Sequence, residues 1–225
     1  MYCNGLYCSK LEECEMGCDV HMFVEKKINA SYWVALKGIN EPMIQYLQTS
    51  LLKCKERGED TSCLEDWIKE EKEKTYNFVD IQRNYRLYAA LADVRNYDGV
   101  TPICEPRGLP SDVSAVVKEQ SDEWGRGAHD RSYLTAKELL EFDWDQKIKF
   151  EGFVDDEQYS EFLKNGSPKR WYFAQRSWGK PYKPIQWTET LKDCVGTFFT
   201  WSIPKLIELA DGDLESVRIV FWFDN

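Results

Sequence analysis

Apolar and polar positions alternate along Gly17-Cys18-Asp19-Val20-His21-Met22-Phe23-Val24-Glu25. The period of two predicts a strand over about 18–25, with Cys18, Val20, Met22 and Val24 toward a core. Asp19, His21, Phe23 and Glu25 share the other face. Asn29-Ala30-Ser31 then separates this run from Tyr32-Trp33-Val34-Ala35-Leu36, a hairpin partner. Between residues 40 and 75 the spacing turns helical, with Ile44, Leu47, Leu51 and Leu52 in one run and Cys63–Ile68 opening a second. That pattern predicts an inserted helical hairpin whose charged tail, Lys69–Lys74, is a solvated face. Tyr85, Leu87, Tyr88, Leu91 and Val94 mark a helix with a buried face.

From Arg95 to Tyr133 glycines and prolines punctuate the chain, which reads as one long irregular stretch of the kind that carries function. Thr135-Ala136-Lys137-Glu138 is a capping box opening the next helix. A strand near 148–154 follows, then a helix at 157–163 closed by Gly166, and strands near 170–174 and 184–187. Next come an apolar segment at 195–201, a helix over 204–210 capped by Ser202, and a terminal strand over 217–223. Strands and helices do not alternate regularly. The expected class is therefore α+β, a mostly antiparallel sheet with flanking helices. Residues 1–15 read as an N-terminal extension, with Met16 as an alternative start. Residues 16–225 read as a single domain with its insertion at 40–75.

A formal charge of −10 opposes binding to bulk nucleic acid or to a membrane surface, because both attract basic fields. No apolar run has the length of a membrane span, and a cytoplasmic protein is expected. The eight cysteines then read as free thiols, and their spacing fits no zinc module.

Chemistry-bearing residues gather in the first strand and the irregular middle. The chain has two histidines, and one of them lies two places after Asp19. Asp19-x-His21 is similar to the Asp-x-His of calcineurin-like metallophosphoesterases, but it begins its strand and the chain lacks their further His ligands. One metal on Asp19, His21 and His129 is an alternative to Asp19 fixing the His21 tautomer. Arg83-Asn84-Tyr85, Arg95-Asn96 and Pro106-Arg107-Gly108 present arginines from turns, where the guanidinium fork suits phosphate or carboxylate. Gly108 would let backbone approach a ligand, and His129, Ser132 and Tyr133 close the region. Cys104 beside Arg107 is the candidate reactive thiol, and aromatics at 133, 171, 172, 178 and 187 are either core or stacking platforms.

Met16-Gly17-Cys18-Asp19-Val20-His21, Arg83-Asn84-Tyr85, Ala92–Asn96, Pro106-Arg107-Gly108-Leu109-Pro110, His129–Leu134 and Val217–Asn225 occur in one order. Together they resemble a family of bacteriophage and prophage proteins that begin Met-Gly-Cys-Asp-Ile-His. The resemblance covers about 16–36 and 80–225. Relatives often carry a second His where this chain has Arg131, and Trp where it has Tyr133.

The resemblance and the arginines lead to a phage-encoded protein binding a small phosphorylated ligand. The ligand is expected to be a nucleotide immune signal of the host, sequestered in the host cytoplasm. Arg83, Arg95 and Arg107 would meet phosphates, while Asp19, His21, Asn84 and Asn96 would fix hydroxyl or base groups and Tyr85 or Tyr133 would stack. No metal or cofactor is implied, and a homo-oligomer is left open. The alternatives are an enzyme cleaving such a nucleotide, with His21 or His129 as acid/base, and a protein-partner inhibitor using the acidic 54–74 helix.

Overall fold

The computed structural model describes residues 17–29, 32–76, 78–172 and 182–224. The N-terminal extension, residues 30–31 of the expected turn, and Trp178 lie outside them. The fold is α+β with antiparallel sheets. The chain divides into two compact units. One is Gly17–Asp143 with Val195–Asn225, and the other contains Trp144–Cys194.

The larger unit is built on β1 (Asp19–Asn29), β2 (Tyr32–Ala35), β3 (His129–Thr135) and β6 (Val217–Asp224), in the order β2-β1-β6-β3. Val217-Arg218-Ile219-Val220-Phe221-Trp222-Phe223 is buried along its whole length, which fits its place between two neighbouring strands with both faces covered. Register places His21 opposite Trp222, Phe23 opposite Val220 and Glu25 opposite Arg218. These share one face, packed by Val117 and Ala128. Phe223 turns to the other face, where its ring meets Tyr88 edge-on at 5.2 Å.

Helices α1 (Glu41–Glu56) and α2 (Ser62–Glu73) form the expected hairpin. Asn40 caps α1 by accepting from the Met43 N–H at 3.0 Å, and its amide donates to buried Asp80 at 2.8 Å. Helix α3 (Tyr85–Ala92) starts at Asn84, whose Oδ1 accepts from the N–H groups of Arg86 and Leu87. The stretch expected to be irregular holds α4 (Ala115–Trp124), begun by Ser114 and followed by a 3-10 turn, Gly125–Gly127. Its charged, solvated face hides the helical period. Helix α5 (Ala136–Glu141) carries the full capping box. Ser202 is not the cap of the helix that follows it. It lies in a π-helical turn, Phe198–Ser202, and its hydroxyl accepts from the Asp80 N–H at 2.9 Å.

In the second unit β4 (Lys147–Val154) pairs with β5 (Lys183–Thr190), and α6 (Asp156–Asn165) ends at Gly166 in the left-handed conformation. Phe150 stacks on Trp187 at 5.1 Å, and Trp171 meets Trp187 edge-on, so these aromatics are packing residues. Near the expected strand at 170–174, Tyr172 bridges to Phe153, and 173–174 lie outside the described residues. The helices are completed by α7 (Leu191–Val195) and α8 (Ile203–Ala210). No helix among the described residues is long and apolar enough to cross a membrane.

Candidate functional site

At one end of the larger sheet β1 begins, β6 ends and β3 begins. Beside that end the turn after α3 and the 105–106 segment border an open cleft of about 490 Å³. Helix α3 stops at Asp93, whose φ is 60° and whose N–H donates to the Ala89 carbonyl. Asn96 holds the following loop by donating to the Asp93 carboxylate at 2.6 Å and to the Val100 carbonyl, while its Oδ1 accepts from the Val100 N–H. Arg95 inside this loop has φ 52°. Across the cleft, a bulge in β3 between His129 and Ser132 forces Asp130 to φ 47°.

Left-handed backbone is unfavourable for residues with a Cβ, although Asp tolerates it better than most. Four non-glycine residues adopt it among the described residues, and three of them, Asp93, Arg95 and Asp130, line this one cleft. Strain of this kind persists where surrounding contacts over-determine it, and it concentrates at ligand sites.

The polar lining is mixed. Arg95 supplies a guanidinium, which also donates to the Tyr97 hydroxyl at 3.3 Å. Asp93, Glu105 and Asp130 supply carboxylates. Nδ1 of His129 lies 2.8 Å from the Asp130 carboxylate, and its Nε2 is buried with no hydrogen-bond partner. Ala92, Val94 and Pro106 form an apolar wall. Next to the cleft, burial pushes the Cys18 thiol up, while Arg95 pulls the other way, so Cys18 is held as an unreactive thiol.

No known family model, curated protein or solved structure matches this chain.

The sequence-derived site residues fall into separate places. Arg95 and His129 border the cleft. Asp19 and Arg83 form a two-point ion pair with each other, Nε to Oδ1 at 2.8 Å. The guanidinium beside Asp19 holds its carboxyl below the ordinary value. Arg107 is closed by a two-point pair with Glu138 and lies over the Tyr133 ring. It therefore points along β3 toward Thr135, away from His129. Ser132 is buried and accepts from the Arg107 N–H. Asn84 and Asn96 are spent on a helix cap and a loop staple. Tyr85 packs against Tyr88 and Tyr97. Gly108 adopts φ 77° with open space around it, so a turn requires it and no close approach does.

His21 is the largest departure. Its Nε2 bonds Asp224 at 3.0 Å, and its ring lies 4.2 Å from Trp124 and 5.8 Å from Trp222. Asp224, not Asp19, orients it. His21 pairs with Trp222 and His129 with Phe223, so the two imidazoles stand on opposite faces of the sheet. One metal on Asp19, His21 and His129 is thereby ruled out geometrically. No group of three or more His, Cys, Asp or Glu side chains among the described residues is placed to hold a metal ion. Arg131 ties down the C-terminal end of α4. It donates to the Ser121 hydroxyl and to the carbonyls of Ser121, Gly125 and Ala128.

Sequence reasoning missed Asp224, Trp124 and the carboxylates of the cleft. A usable signal existed for two of them. Asp130 directly follows His129 and Asp93 lies two places before Arg95, and Asp is among the few side chains tolerated in left-handed backbone.

Proposed function

We propose that this chain binds a small phosphorylated ligand in the cleft bordered by Arg95 and His129, and that it acts by sequestration. The observation that carries this reading is the concentration of left-handed, non-glycine backbone around one cleft that presents a guanidinium. The resemblance to phage and prophage proteins extends the proposal to a nucleotide signal of host immunity, held in the host cytoplasm.

Binding is favoured over turnover by the position of His129. An acid/base must reach the reacting proton, and Nε2 of His129 is buried in the site as it stands. Cleavage would require the ring to move, whereas binding requires no such change. His21 supports neither reading, since it lies on the other sheet face.

The test is incubation of purified protein with a nucleotide panel, removal of unbound material by filtration, heat denaturation, and mass spectrometry of both fractions. Intact nucleotide is expected from the wild-type protein and at least ten-fold less from Arg95→Ala. Retention of no phosphorylated compound would overturn the proposal. A nucleotide consumed and replaced by product would convert it to an enzyme and move attention to His129.

A further inference from the structure

We infer that the cleft selects a nucleoside-like ligand carrying a single phosphate and discriminates against polyphosphates. This inference rests on the phosphate-binding reading above and narrows it. Arg95 shares the lining with Asp93, Glu105 and Asp130, so the formal charge of these four residues is +1 − 3 = −2. One phosphate can sit on the guanidinium fork, which matches two oxygens of a single group. A triphosphate would bring its further charges against Asp93, Glu105 and Asp130, where like charges repel. The net charge of −10 on the whole chain acts in the same direction.

The remaining lining fits the rest of such a molecule. Carboxylates are acceptors only, so they suit ribose hydroxyls or exocyclic amines. Two are already committed in part, Asp93 to Asn96 and Asp130 to His129, whereas Glu105 is exposed at the rim. Nδ1 of His129 is held by the Asp130 carboxylate, which fixes the orientation of the ring beside the cleft. Pro106 adds an apolar edge, and a volume of about 490 Å³ suits a ligand of nucleotide size.

Calorimetric titration at fixed ionic strength would compare 5′-monophosphate, 3′,5′-cyclic monophosphate and 5′-triphosphate forms of the four common nucleosides. Within the preferred base, the singly phosphorylated forms are expected to bind at least ten-fold tighter than the triphosphate. Glu105→Gln is expected to narrow that gap several-fold by raising triphosphate affinity. Equal or tighter triphosphate binding by the wild-type protein would overturn the inference while leaving phosphate binding intact. A gap unmoved by Glu105→Gln would overturn its electrostatic cause. If none of the probes bound, the phosphate reading itself would fall.

Discussion

Arg218 and Glu25 meet in an ion pair sealed inside the protein, with Nε donating to Oε2 at 2.8 Å and both residues under 5% exposed. Their neighbours complete the bonding. Arg218 also donates to Asp112, stacks over the Trp33 ring at 3.9 Å, and leaves the second Glu25 oxygen to accept from the Ser114 N–H. The pair therefore anchors the 112–114 turn, and with it the start of α4, to the sheet. Removing one member of a buried pair leaves an uncompensated charge, a loss of about 3–5 kcal/mol. Glu25→Ala should lose that much in denaturant unfolding, and a Glu25→Leu, Arg218→Met double variant should recover most of it. A single-variant loss below about 1 kcal/mol would show the pair to be solvated.

Backbone strain at Arg95 separates stability from binding. Glycine removes the Cβ penalty of left-handed backbone, so Arg95→Gly should be more stable than Arg95→Ala by about 1 kcal/mol. Both variants should lose nucleotide retention. Equal thermal stability of the two would mean that the loop relaxes and stores no strain.

Acid should weaken the fold through two pairs. Arg83 holds the Asp19 carboxyl below its ordinary 3.8. Burial works to raise Glu138, but Arg107 and the Thr135 backbone outweigh it and hold that carboxyl below 4.5. A carboxyl with a depressed folded-state value binds protons more readily when unfolded. Its contribution is therefore present above the ordinary value and is lost as pH falls through the folded one. Asp19 is about half exposed, so its share is under about 1 kcal/mol. Glu138→Gln, which keeps the capping box, should be less stable than wild type at pH 7 by up to about 1 kcal/mol and should lose less between pH 5 and 3. Parallel acid profiles for the two proteins in urea titrations would count against this assignment.

Much of the fold was legible because its signals are local. The alternation of 18–25, the capping box at Thr135 and Glu138, Gly166 after α6, and the apolar run at 217–223 all act within a few residues of themselves. Helix α4 was not legible, since its stabilising contacts are tertiary: Val117 packs under Trp222, and Arg131 holds its far end. The arginines illustrate the same limit. Arg83, Arg95 and Arg107 look alike in sequence, yet two are closed by Asp19 and Glu138 and one borders the cleft.

The sequence by itself determined β1, β2, β4, β5 and β6 and most helices, the acidic balance, and which residues of β1 share a face, because side-chain period and capping are properties of a short segment. Tertiary structure alone decided that the two histidines are separated. Their faces depend on pairing with adjacent residues of β6, Trp222 for His21 and Phe223 for His129. A register shift of one position would exchange those faces, and register is set by packing between strands far apart in the chain.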